Sequence, residues 1–155
     1  MSHEDLMREA IRLSEENVKN GGGPFGAVVV KDGEIVGRGV NRVTSNNDPT
    51  AHAEVMAIRD AATNLNTFDL QNCDIYTSCE PCPMCLGAIY WARLGHIYYG
   101  NNQNDAAAIG FDDRFIYEEL DRPHAMRHIP QLPLLPDEAA NAFREWKENP
   151  NKRPY

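Results

Sequence analysis

The sequence predicts an α/β fold, a mixed five-stranded sheet with helices on both faces. Three patterns predict it. From Glu4 to Lys19, apolar side chains recur at helical spacing and stop at Gly21-Gly22-Gly23-Pro24. Two β-rich runs then flank Asp32-Gly33, a dipeptide that favours the two-residue turn of a hairpin. Beyond the hairpin, short strand-like runs alternate with helical ones, and such alternation covers both faces of a sheet.

In the first helix, Leu6, Ala10 and Leu13 alternate with Met7, Ile11 and Val18, an amphipathic arrangement. Phe25–Lys31 and Glu34–Val40 are the hairpin strands. The Asn-, Asp- and Ser-rich stretch Asn41–Pro49 reads as a loop that leads into a helix reaching Thr63. Asp74–Thr77 reads as a short buried strand, Pro83–Ala92 as a helix and His96–Tyr99 as a strand. After Gly110, Arg114–Leu120 reads as helical and His128–Leu132 as the fifth strand. Pro136-Asp137 opens a last helix with Ala139, Ala142, Phe143 and Trp146 on one face, and Asn149-Pro150 ends it.

Length and composition narrow the function classes. A chain of 155 residues has room for one domain with one core. A formal charge of −8 argues against a polyanion as main partner, and the basic residues are scattered, with only Lys152-Arg153 adjacent. No apolar run approaches the roughly 20 residues that span a bilayer. The N-terminus lacks the basic start and apolar stretch of a secretory signal. Of the four cysteines, Cys79, Cys82 and Cys85 crowd together, a spacing for metal or redox chemistry in a reducing cytoplasm.

Two stretches carry the chemistry: Thr50-Ala51-His52-Ala53-Glu54 and Cys79-Glu80-Pro81-Cys82-Pro83-Met84-Cys85. Residues two apart in a helix are turned by roughly 200°. His52 and Glu54 therefore straddle a helix start, with His52 in the entry turn. Cys82 and Cys85 are three apart and share a face at the start of the next helix. Helix N-termini favour thiolates, the form zinc requires. His52, Cys82 and Cys85 make three zinc ligands with a fourth position open, the mark of a catalytic site, which brings the pKa of water to about 7. The alternative is a closed structural site with Cys79 as fourth ligand. Cys79 reads instead as a buried strand-end residue, and Cys73 as a core thiol.

The order H-x-E…P-C-x-x-C is the signature of zinc nucleobase deaminases. With it, the chain resembles the cytidine deaminase-like superfamily, and within it the guanine deaminase branch. The likeness spans nearly the full length. It includes Gly22-Gly23-Pro24-Phe25-Gly26-Ala27-Val28, Asn46 through Glu54, Cys79 through Arg93, Gly110-Phe111-Asp112-Asp113 and the terminal Tyr155. The resemblance implies a three-layer α/β/α fold and a homodimer in which the C-terminal segment, about 136–155, crosses to the neighbouring subunit. It implies conversion of guanine to xanthine and ammonia with Zn²⁺ as cofactor. Glu54 would carry a proton from water to ring N3 and then to the departing amine.

Further roles follow from the same resemblance, each beside a plainer reading. Asn41 matches the purine-orienting Asn, or forms a turn. Asp113 matches the acid that relays a proton to the leaving amine, with Asp112 as its rival. Phe25 and Trp91 would sandwich the purine, or sit in the core. Backbone N–H groups of Ala53 or Cys82 would steady the tetrahedral intermediate. Tyr155 would lid the partner's site, or end the chain as a loose terminus. Glu80, beside the cysteines, pairs locally or caps, with a catalytic part as the alternative. Competing functions are a guanosine or tRNA adenosine deaminase, a triazine or cytosine deaminase, and a non-catalytic zinc-stabilised interaction module.

Overall fold

The structure is a computed structural model that describes all 155 residues. By its internal contacts the chain divides into Met1–Ile116 and Tyr117–Tyr155. In the first unit, α1 spans His3–Lys19 and starts in a capping box: the Asp5 amide donates to the Ser2 hydroxyl and the Ser2 amide to the Asp5 carboxylate. The hairpin strands are β1, Gly26–Lys31, and β2, Glu34–Val40. Asp32 and Gly33 between them both have positive φ, 52° and 77°, as the predicted tight turn demands. A one-turn helix α2, Val43–Asn46, interrupts what reads as loop in the sequence. Next come α3, Ala53–Leu65, then β3, Cys73–Cys79, then α4, Pro83–Ala92, and then β4, Ile97–Asn101. A short α5, Gln103–Ala108, follows on an Asn102/Asp105 capping box that sequence reading passed over.

The sheet has four strands in the order β2-β1-β3-β4, not the expected five. β1 is antiparallel to both neighbours, while β3 and β4 are parallel and joined through α4. Val28 and Val30 cluster with Leu6 and Ala10 of α1, while Ala27 and Val29 cluster with Ala53, Ala57 and Ala61 of α3 and Ile89 of α4. Register decides where function can sit. Gly26 pairs with Val40, Ala27 with Thr77 and Cys79 with Asn101. The start of β1, the end of β2 and the end of β3 therefore meet at one end of the sheet.

That end is held by close packing of α3 on β2. A Cβ placed on Gly39 would lie 2.3 Å from the Ala53 carbonyl oxygen, and one on Gly37 2.5 Å from that of Ala57. Ala53, Ala57 and Ala61 line up at helical spacing, so small residues on both partners let the backbones touch. Gly39→Ala must push the first turn of α3 away. We expect it to lower stability by about 1–3 kcal/mol, as overpacking does, measured by denaturant unfolding.

In the second unit, α6, Arg114–Leu120, runs in from the first, followed by a 3₁₀ turn at His124–Met126 and α7, Pro136–Glu148. His128–Leu132 forms no strand. Pro130 and Pro133 lack ladder donors, and the Arg127 guanidinium gathers the carbonyls of Glu119, Leu120 and Arg122 and the Gln131 side chain into a local knot. On α7, Phe143 is 80% exposed and Trp146 45%.

Candidate metal centre and substrate cavity

His52 is the N-cap of α3 and Cys82 the N-cap of α4, both in extended backbone conformation. Neither side chain caps its helix. An N-cap side chain ordinarily bonds a free N–H of the first turn; here imidazole and sulfur instead turn toward each other. Pro83 at the start of α4 removes one N–H that would otherwise seek a partner. Cys85, one turn on, joins them.

His52 Nδ1 lies 3.6 Å from Cys82 Sγ and 3.5 Å from Cys85 Sγ. All three donor atoms fall within 4.8 Å of one another. Zinc bonds of about 2.3 Å to sulfur and 2.0–2.1 Å to nitrogen place tetrahedral neighbours about 3.6 Å apart. The donors are thus spaced as corners of one tetrahedron around a zinc ion, and their chemistry suits zinc. Cys79 is not part of the group; its sulfur faces the Asn102 carbonyl at 4.0 Å. Burial pushes its thiol up to about 12, so it stays protonated.

The two sulfurs are shifted in opposite directions. A hydrogen bond from Cys85 holds the Cys82 thiol well below its ordinary range, helped by His52 and by the Cys85 backbone N–H. The Cys85 thiol is raised in turn, first by that bond to Cys82 and then by burial. His52 is raised chiefly by its hydrogen bond with Cys82. Glu54, in the first turn of α3, is only 6% exposed. Burial pushes its carboxyl up to about 7, and the Cys82 sulfur adds to the rise.

A cavity of about 280 Å³ opens beside these groups, and His52, Glu54 and Cys82 line it. The register of the sheet delivers three further lining residues, Phe25, Asn41 and Cys79, from neighbouring strand ends. Asp113 lines it too, half-buried and raised mainly by burial, whereas Asp112 is exposed and outside the lining. Asn41 does form a turn, its Oδ1 accepting from the Val43 N–H at 3.1 Å. To a ligand its amide can offer the Nδ2 donor and the second lone pair of Oδ1. Glu80 caps α5, its Oε1 accepting from the Gln103 N–H at 3.0 Å. Three carboxyl groups and no Lys or Arg line the cavity.

One expected contact falls elsewhere. Trp91 is 69% exposed near the end of α4 and does not line the cavity. The ring that meets Phe25 is Phe111, edge-on at a centroid distance of 5.0 Å. Sequence reading gave Phe111 no role, although it stands two residues before Asp113. Tyr155 belongs to the second unit.

Residues 1–101 match the family described as the cytidine and deoxycytidylate deaminase zinc-binding region, and the chain belongs to that family of enzymes. Over its whole length it is similar to guanine deaminase of Bacillus subtilis (strain 168), 52% identical over 156 residues and covering 100% of both. An X-ray structure of guanine deaminase from Bacillus subtilis matches with a TM-score of 0.97 at 52% identity, over 100% of this chain and 99% of that one. A tRNA-specific adenosine deaminase of Haemophilus influenzae is 40% identical over 116 residues, 71% of this chain and 67% of its own length.

Proposed function

We propose that the chain hydrolyses guanine to xanthine and ammonia, with zinc held by His52, Cys82 and Cys85. The observation that carries the reading is the cavity: a buried carboxyl, a second acid and an amide donor face one small space beside a three-donor metal centre. When bound, zinc lowers the pKa of water to about 7 and so supplies a nucleophile at neutral pH. Glu54 takes the proton of the attacking water, gives it to ring N3 and then serves the departing amine. A carboxyl near neutrality suits this, because it must act first as base and then as acid. Asp113 is the second proton source, at the leaving amine. The N–H groups of Ala53 and Cys82 steady the tetrahedral intermediate. Asn41 donates to an acceptor on the purine, and Phe25 packs on the ring with Phe111 beside it.

A lining without cations suits a neutral free base better than a phosphate. This separates the reading from that of a tRNA adenosine deaminase, whose binding must weaken steeply with salt. Ammonia release from guanine, guanosine, cytosine and a tRNA anticodon stem tests it. Guanine should lead guanosine by about tenfold or more with little salt dependence; faster turnover of tRNA or cytosine would overturn the choice of substrate.

The same reading takes the fold as three layers, α/β/α, because adjacent residues of β1 pack with α1 and with α3. It takes the active form as a homodimer, one continuous fold over residues 1–155 in which segment 136–155 crosses to the partner. The exposed apolar side chains of α7, with Tyr90 and Trp91 of α4, support this. Trp91 then belongs to the subunit interface and Tyr155 to the partner's cavity. No helix is long and apolar enough to cross a membrane, and four free cysteines fit a reducing cytoplasm. Removing Lys152–Tyr155 should raise KM for guanine about tenfold or more while zinc content is unchanged; unaltered kinetics would return Tyr155 to a plain terminus.

A further inference from the structure

The buried face of α1 is Leu6, Ala10, Ser14 and Asn17. An amide at the end of such a face costs stability unless it is bonded. Asn17 is only 8% exposed, and its Nδ2 donates to the Gly23 carbonyl at 2.8 Å and to the Asn41 carbonyl at 2.9 Å. These are the two N–H donors that a side-chain amide has. The circuit closes through the backbone: the Phe25 N–H donates to the Gly23 carbonyl at 2.9 Å, and the Asn41 N–H to the Phe25 carbonyl at 3.2 Å. Gly23, Phe25 and Asn41 all line the cavity, while Asn17 does not.

Gly22 makes this approach possible. Its N–H donates to the Asn17 carbonyl at 2.8 Å, and a Cβ on it would lie 2.5 Å from Asn17 Nδ2. One buried amide thus ties the end of α1 to the two segments that enter and leave the hairpin.

We propose that Asn17 is a positioning residue for the substrate cavity, setting the spacing between Phe25 and Asn41 through its bonds to Gly23 and Asn41. This rests on the guanine reading above. Asn17 touches neither the donor set nor Glu54, so its loss should act on substrate binding and leave the chemical step alone. In Asn17→Asp, an acceptor replaces the donor pair and faces two carbonyl oxygens at nearly unchanged size. Gly22→Ala perturbs the same circuit independently by driving a methyl group into the Asn17 amide.

The experiment measures kcat and KM for guanine, zinc content and Tm for the wild type, Asn17→Asp, Gly22→Ala and Leu6→Ala. Leu6 lies in the core cluster with Val28, Val30 and Tyr76, away from the cavity, and serves as the control for lost stability. The expected result is KM raised about tenfold or more in both circuit variants, with kcat within about threefold and zinc unchanged. Leu6→Ala should lower Tm without moving KM. If the circuit variants lose only Tm, as Leu6→Ala does, Asn17 is structural and the proposal is overturned. Should Asn17→Asp not fold, Gly22→Ala decides by the same split. A wild type inert on guanine sinks the substrate reading instead, and the split is then read on the base it does turn over.

Discussion

Glu54→Gln should give a folded protein that still binds one zinc per chain and deaminates guanine about 10²–10⁴-fold more slowly, or worse, the range for a positioned general acid–base group. The loss should fall on kcat, because the amide keeps the size and burial of the carboxyl but carries no transferable proton. Near-normal turnover in this variant would remove Glu54 from the chemistry. A second effect of the same substitution has the opposite sign. Burial raises the Glu54 carboxyl from about 4.5 to about 7. A group whose folded pKa is raised contributes stability fully below its unfolded pKa and loses it as pH rises through the folded one. In the metal-free wild type the contribution of Glu54 is therefore lost between about pH 4.5 and pH 7, whatever His52 and Cys82 add in both proteins. Glu54→Gln has no such loss, so above neutrality it should be the more stable of the two by about 3 kcal/mol, at about 1.4 kcal/mol per pKa unit. Urea unfolding of chelated samples at pH 5 and pH 8 measures the difference.

Cys82→Ala should abolish both zinc retention and turnover, since two donors on opposite helix starts cannot hold the ion as three do. Its fold should survive. Ala27, Val29, Ala57, Ile75 and Ile89 form a buried core that does not depend on the donor set, unlike a zinc finger, whose folding free energy is largely that of the metal. The expected loss of stability is about 4 kcal/mol relative to wild type with zinc at a thousandfold above Kd, the mass-action value. Calorimetry with and without chelator reads it: the wild type should lose Tm on chelation and the variant should not. A Cys82→Ala protein that keeps stoichiometric zinc would place the metal elsewhere.

The metal motif was legible because its information is local. Pro-Cys-x-x-Cys and His-x-Glu sit at helix starts, where N-cap geometry and spacing alone decide which side chains converge. The hairpin was legible for the same reason, through Asp32-Gly33. The fifth strand at His128–Leu132 was misread because β-like side chains there are broken by Pro130 and Pro133, which count for more than the alternation. The α4 helix is apolar on several faces, so nothing local separates Trp91, which is exposed, from Ile89, which is buried. The Asn17 circuit joins residues 24 apart in sequence, and no pattern in a single chain announces such a bond. Phe111 was similarly hidden, since only folding brings it edge-on to Phe25.

One measurement bears most directly on the three-donor centre as the seat of catalysis: ammonia release from guanine by protein stripped of metal and titrated back with zinc. Activity should be absent at the start, rise in proportion to added zinc and level off at one equivalent per chain. Full activity in the stripped protein, or zinc bound at one equivalent with no ammonia released, would contradict it.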